Sequence, residues 1–549
     1  MLRRDFLRHS VAAVPAIYPA TALAPYDQHD GPPPALFDVR QYGATGDGRT
    51  VDSPAINAAI DAAVKAGGGT VYFPQGTYLC FTIRLRSNVS LYLSSGCVIE
   101  AAASPQRSEA TGYRGGRYDL FESDTAALKY QDFGHCHWRN SLFYAEGEHD
   151  FAIAGPGLIF GKGLSNGHAA AVGGYTTYHA EQPGVGNKVF GLKNCHNVIL
   201  KDLRILKGGH FALLATGVDN LTLENLVVDT DRDGFDIDCC RNVRVSGCTV
   251  NSPWDDAICP KSSYALGFAR TTANVTIANN YVTGYYELGS VMDGTWKRFS
   301  EEAAVLREGR IKCGTESNGG FQNIVISGNV IEGCKGIALE SADGALIEDV
   351  VISDNTMRDI VDAPIFLNLN RRNRGPGASL QQGGLRRVLI SNIVSSGSAA
   401  SSASVLAGVP GNMIEDIKVA NCYFAHEGLP KRMRVGFGER FEPMPNWQNI
   451  TVKERETDYP ELLHFGPTPC HGFFLRHLAR LEMSHVEIAP ANPDPRPAFW
   501  LEDVSRADFF AITAPAQKNF SLHNVSDFRL AWSRAAADQN ISHCDNTLL

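Results

Sequence analysis

Apolar and polar residues alternate in short runs along most of this chain, and many of these runs open on asparagine or aspartate. Asn88-Val89-Ser90-Leu91, Asp150-Phe151-Ala152-Ile153, Asn197-Val198-Ile199-Leu200, Asn220-Leu221-Thr222-Leu223, Asn242-Val243-Arg244-Val245 and Asn274-Val275-Thr276-Ile277 share the pattern. Asn323-Ile324-Val325-Ile326, Asp349-Val350-Val351-Ile352, Asp416-Ile417-Lys418-Val419 and Asn449-Ile450-Thr451-Val452 continue it. A period of two is that of a strand with one buried face. Asn and Asp tolerate the left-handed backbone of a turn. From Asn197 the intervals to the next three runs are 23, 22 and 32 residues. Strands repeating at that length predict successive turns of a parallel β-solenoid, with insertions between some turns and not others.

One stretch has a different period. After the short strand Phe37-Asp38-Val39 and the glycine-rich turn Tyr42 to Gly48, apolar residues recur at helical spacing (Ile56, Ala59, Ile60, Ala63, Val64). This predicts an amphipathic helix over Asp52 to Ala66, with Asp52 or Ser53 as its cap. Such a helix suits the open end of a solenoid, whose core and strand edges need a cover. The glycines precede strands rather than a helix, which argues against phosphate binding. Insertions over Ala102 to Asn140, Leu164 to Lys188 and Trp296 to Gly309 are expected to wall a groove. The first carries Tyr113, Arg114, Arg117, Tyr118, His135, His137, Trp138 and Arg139, side chains suited to sugar rings and carboxylates. No second globular domain is evident, and the region after Phe465 reads as more irregular coils.

The N-terminus is a targeting pattern. Arg3-Arg4-Asp5-Phe6-Leu7-Arg8 is a twin-arginine motif ahead of a mildly apolar run from Val11 to Ala24. The expected organisation is a signal segment over residues 1–24, a linker over 25–36 and one β-helix domain over 37–549. No other stretch reaches the roughly 18 apolar residues that a membrane span requires, so no membrane anchor is expected. With 53 glycines, 20% charged residues and a net charge of −9 among 549 residues, the composition is that of a globular protein. The negative balance gives no reason to expect a nucleic-acid partner. The 13 cysteines are odd in number and irregular in spacing, which predicts mostly free, buried thiols; Cys240 and Cys248 read as packing residues near turns. The protein is expected to act as a monomer.

Candidate chemistry is concentrated in Asp231 to Ser263. Asp233 opens the strand Asp233-Gly234-Phe235-Asp236-Ile237-Asp238, and 22 residues later Asp255-Asp256-Ala257-Ile258 begins another. Equivalent strands of adjacent coils lie about 4.8 Å apart, so these carboxylates should become neighbours and raise one another's pKa. Capping of β-helix turns is the plain structural alternative. Arg310 and Lys312, two apart on one strand, should project to one face, with Lys261 nearby. No set of His, Cys and Asp has zinc-ligand spacing, so no metal and no cofactor is expected.

These motifs, in order, resemble the polygalacturonase-type pectin hydrolases of glycoside hydrolase family 28. The resemblance rests on Tyr42 to Gly48, on Asp231-Arg232-Asp233-Gly234-Phe235-Asp236, on Asp255-Asp256-Ala257-Ile258-Cys259-Pro260-Lys261-Ser262 and on Arg310-Ile311-Lys312. It implies an all-β, right-handed parallel β-helix (solenoid) with an N-terminal capping helix. It also implies an inverting hydrolase of galacturonate-containing polysaccharide or oligogalacturonide, without a cofactor. Asp255 would then be the general acid, Asp233 and Asp256 would activate water, and Arg310 and Lys312 would meet a substrate carboxylate. Two departures stand out. The family's histidine turn is replaced by Tyr285-Tyr286-Glu287, which makes Tyr286 and Glu287 candidates for a modified substrate contact. Pro260 removes a ladder donor and predicts a local bulge. A calcium-dependent lyase and a non-catalytic carbohydrate-binding β-helix remain the alternatives. The first requires a calcium site, and the second would release no reducing ends.

Overall fold

The structure is a computed structural model, and it describes residues 36–123, 127–131, 134–166, 181–377, 383–399, 401, 403–435, 440–515 and 518–549. The expected signal segment lies outside the described residues. From Leu36 onward the chain winds into a right-handed parallel β-helix. A typical coil has three short strands, as in Asp233–Asp238, Arg241–Ser246 and Thr249–Asn251, and each pairs in parallel with its equivalents one coil before and after.

Strict register makes the core columnar. Val243 lies against Val275, then Ile324, Val350, Val388, Ile417 and Leu481. All are buried, and each such side chain contributes about 1.5–3 kcal/mol relative to exposure. The polar residue opening each run supports the corner of the coil. Asn88, Asp150, Asn197, Asn220, Asn242, Asn274, Asn323, Asp349 and Asp416 all have φ between 53° and 61°. Their side chains form a ladder: Asn197 donates to Asp150 at 2.7 Å, Asn220 to Asn197 at 2.8 Å, Asn242 to Asn220 at 3.2 Å and Asn274 to Asn242 at 2.9 Å. Asn449 is the exception. It ends a short 3-10 turn, Trp447–Asn449, inside an insertion, and is not the start of a coil strand.

The helix spans Ser53–Lys65 and buries Ile56, Ala59, Ile60 and Ala63 against the first coil. Asp52 occupies the cap position without capping the helix. Its carboxylate accepts from the Thr45 and Gly46 amides at 2.8 and 3.0 Å, tying down the glycine-rich turn instead. The C-terminal coils are the most extended of the molecule, not irregular ones. Phe473–Pro490, Phe499–Phe510 and Phe520–Ala531 run as long strands, with Phe473, Phe499 and Phe520 stacked at 6.0 and 4.8 Å. Gln539–Leu548 closes the stack antiparallel. Twelve of the thirteen cysteines are buried thiols. Near Pro260 the pairing register shifts by two residues, from Ile258 opposite Ile311 to Ser262 opposite Ser317.

Between Ile414–His426 and Phe473–Pro490 the chain leaves the coils over residues 427–472. This excursion carries the hairpin of Arg432–Val435 with Arg440–Pro443 and one helical turn, Leu462–Phe465. It folds back over the face that carries the acidic strands.

Candidate active site

The coil pitch brings Asp233 beside the Asp255–Asp256 pair, because Phe235 pairs with Ile258 and the Gly234 amide donates to the Asp256 carbonyl at 2.9 Å. Gly234 is required for that approach: a Cβ there would sit 2.3 Å from the Ala257 carbonyl oxygen. Each of Asp233, Asp255 and Asp256 can bring an oxygen within 4.8 Å of the others. Asp233 and Asp256 are buried, whereas the Asp255 side chain keeps 25% of its exposure. Asp255 is therefore the carboxylate that opens to a cavity.

The three carboxyls have different electrostatic surroundings. Asp255 accepts from the Arg232 guanidinium at 2.6 Å, and the same group lies 3.7 Å from Asp233. Burial raises Asp233 well above the usual carboxylate range, and the charges of Asp255 and Asp236 push it further. Burial would also raise Asp256, but Lys312 at 2.5 Å and Arg310 at 2.9 Å outweigh it and hold that carboxyl well below the usual range. One carboxyl is thus set to hold a proton and its neighbour to stay ionised, a division typical of acid–base sites.

Arg310 and Lys312 share a face, as their spacing predicts, and both are buried. Arg310 also pairs with Glu308 at 3.1 Å and with Glu461, and lies 3.6 Å from Glu340. Lys335 completes the network, 2.7 Å from Glu308 and 2.8 Å from Glu461. Arg310 therefore sits inside a carboxylate network rather than open to the groove. Lys261 is 3.0 Å from Glu316 and 3.8 Å from Asp236. Buried Asp236, with His135 on its other side at 3.9 Å, is pushed by burial up to about 8.

A cavity of about 400 Å³ opens beside Asp255. Its coil side is formed by Arg232, Trp254, Asp255, Leu306, Glu308, Lys312, Lys335, Val361 and Asp362. The excursion supplies Met433, Arg434, Val435, Tyr459, Glu461, Leu462 and Leu463 on the other side. The stretch of Trp296 to Gly309 nearest Asp255 forms a wall, as expected; the second wall is the 427–472 excursion, which no motif announced. Tyr286 and Glu287 are not brought to the cavity. Tyr286 packs edge-on against Trp296 at 5.1 Å, and Glu287 pairs with Lys297 at 2.7 Å. Arg232, Trp254, Glu308 and Glu461 were missed by sequence reasoning. Of these only Arg232, lying between two aspartates, carried a readable signal.

Among the described residues, two further groups bring potential metal ligands within 4.8 Å, namely His149, Asp150 and His196, and buried His426, His471 and Asp494. In the second, His426 and His471 bond each other at 2.8 Å and Asp494 is gripped by Arg496. In the aspartate trio, Arg232, Arg310 and Lys312 already supply the compensating positive charge.

Residues 36–131 match the family model described as rhamnogalacturonase A/epimerase, pectate lyase-like, and residues 188–424 match the right-handed beta helix region. The Family 28 exopolygalacturonase of Yersinia enterocolitica superposes with a TM-score of 0.55 at 14% identity, over 88% of this chain and 79% of that one. The hyperthermoactive exopolygalacturonase of Thermotoga maritima gives 0.52 at 18% identity, over 71% and 87%. A mannuronan C5-epimerase of Azotobacter vinelandii is 62% identical over 45 residues, which is 8% of this chain and 3% of that protein. The plasmin and fibronectin-binding protein A of Streptococcus pneumoniae is 51% identical over 65 residues, 12% and 9% of the two chains. The matches span under a tenth of these curated relatives, and the distant solved structures bear on the fold alone. This chain is a right-handed parallel β-helix protein, similar to a pectate-lyase-like family over residues 36–131 and with polygalacturonases among its structural neighbours.

Proposed function

We propose that this protein is an exported glycoside hydrolase acting on pectin-type, galacturonate-containing carbohydrate at the Asp233–Asp255–Asp256 site. The observation that carries the reading is the trio itself, in which a proton-holding carboxyl and an ionised one converge beside a cavity. Glycoside cleavage needs one group to protonate the leaving oxygen and another to activate water or to attack the anomeric carbon.

Asp233, raised by burial and by the charges of Asp255 and Asp236, holds the resting proton within 4.8 Å of Asp255. Asp255, the one facing the cavity, delivers it to the glycosidic oxygen as the bond to the anomeric carbon breaks. A water held at Asp256 adds to that carbon and passes its proton to the carboxylates, restoring the resting state. Lys312 and Arg310 keep Asp256 ionised throughout. The motif resemblance implies an inverting reaction. A second reading is favoured by the 4.8 Å convergence of the oxygens, since retaining pairs lie about 5 Å apart and inverting pairs about 6.5–9.5 Å. In that reading a carboxylate attacks carbon directly. Proton NMR of the first-formed sugar separates the two by its anomeric configuration.

The test of hydrolysis is a reducing-end assay over homogalacturonan, rhamnogalacturonan and short oligogalacturonides, with absorbance followed in the ultraviolet. Reducing ends without unsaturated products support hydrolysis. Unsaturated products that require calcium would establish the lyase alternative, and no new ends on any substrate would leave a binding protein.

A further inference from the structure

We propose that the cavity beside Asp255 receives a single uncharged sugar with one apolar face, at the end of the substrate chain. This deepens the hydrolase reading and rests on it for the cleavage step, although the binding claim can be measured separately.

The site is closed on the side of the excursion. The 427–472 excursion crosses the groove and is pinned there by Glu461, which reaches both Arg310 and Lys335. Tyr459 on the same excursion accepts from the Thr315 hydroxyl at 2.6 Å. What remains beside Asp255 is about 400 Å³, near the low end of the roughly 300–1,000 Å³ of small-molecule pockets. A polymer cannot run past this point, but its terminal unit can enter.

A uronate needs a cation that is not already compensated. Arg232 is taken by Asp255 at 2.6 Å, Lys312 by Asp256 at 2.5 Å, and Lys335 by Glu308 and Glu461 at 2.7 and 2.8 Å. Arg434 is held by the Val305 and Glu301 carbonyls at 3.2 and 3.3 Å, which occupy two of its donors without cancelling its charge. Asp362 adds a further acid to the lining, and burial pushes both it and Glu308 upward, to about 6 and about 7. Four acids, Asp255, Glu308, Asp362 and Glu461, thus line the cavity beside its four cations. A substrate carboxylate would have to displace one of these partners or lie against them.

Trp254, Leu306, Val361, Met433 and Leu463 present rings and alkyl groups to the cavity. Such a surface matches the C–H face of a neutral pyranose or the methyl of a 6-deoxy sugar, and it offers no charged partner to a carboxylate.

The experiment is a binding comparison with the full wild-type chain, using intrinsic tryptophan fluorescence and calorimetry. The probes are galactose, glucose, mannose and rhamnose against galacturonate, glucuronate and mannuronate. The tightest neutral sugar should bind with a Kd at least about tenfold below that of the tightest uronate. Met433→Lys, which places an unpaired cation in the wall, should narrow that ratio by about tenfold or reverse it. A uronate that binds the parent protein as well as the best neutral sugar, or the absence of binding by every neutral sugar, overturns the proposal. Failure of the hydrolase reading would look different: neutral sugars would bind as expected while the wild-type chain released no reducing ends.

Discussion

Asp256→Asn separates the structural from the chemical role of the acidic trio. Asp256 is buried and holds Lys312 at 2.5 Å and Arg310 at 2.9 Å. Asparagine keeps the shape and removes the charge, leaving two buried cations short of a partner. Removing one member of a buried pair costs about 3–5 kcal/mol. Arg310 keeps Glu308 and Glu461, whereas Asp256 is the one ion-pair partner of Lys312 among the described residues, so a loss of about 3 kcal/mol is expected. The sign with pH follows from the depressed carboxyl. Its stabilisation is present above the ordinary carboxylate pKa near 4 and fades as pH falls below it. The gap between variant and wild type should therefore be full at pH 7 and narrow towards pH 3. Equilibrium urea unfolding followed by circular dichroism measures it. Asp255→Asn is the control, since Asp255 is partly exposed and Arg232 retains Asp233, and it should cost under about 1 kcal/mol. Both variants should lose at least about 10² in turnover. An Asp256→Asn protein within about 0.5 kcal/mol of wild type at pH 7 would refute the reasoning.

Asp236→Asn should match wild type near pH 4 and be more stable by at least about 1 kcal/mol at pH 8 to 9, because a carboxyl raised to about 8 destabilises the fold as pH climbs from its unfolded value through that point; urea midpoints that stay equal across this range would contradict it. Glu461→Gln should free the 427–472 excursion without unfolding the coils, so limited proteolysis should cut within that segment at least about tenfold faster; an unchanged cleavage pattern would show that the segment is held by other contacts. Activity should survive exhaustive chelation, since Arg232, Arg310 and Lys312 already balance the trio, and loss with EDTA that calcium restores would point to the lyase.

The coil architecture was legible because each turn carries its own signal: an Asn or Asp at positive φ, then alternating core residues. The same signal misled at Asn449, where a short apolar alternation occurs inside an excursion that pairs with no coil. Asp233 and the Asp255–Asp256 pair were legible because their spacing equals one coil. Glu461 and Tyr459 were not, being about 150 residues beyond Arg310 in a segment with no period. The setting of Arg310 was also hidden. Sequence places it on the right face, but only the folded chain shows three further carboxylates, Glu308, Glu340 and Glu461, around it. Asp52 looked like a helix cap because position alone cannot reveal that the nearby Thr45 and Gly46 amides compete for its side chain.

The central claim is that the trio cleaves glycosidic bonds with Asp255 as the group that protonates the leaving oxygen. Wild type and Asp255→Asn should be compared on a reducing-end-labelled ladder of pectic oligosaccharides, with products resolved by length. Wild type should remove one unit from the unlabelled end of each oligosaccharide that ends there in a neutral sugar, yielding saturated products. Asp255→Asn should be slower by at least about 10² with its fold intact. An Asp255→Asn protein that turns over at the wild-type rate would contradict the account.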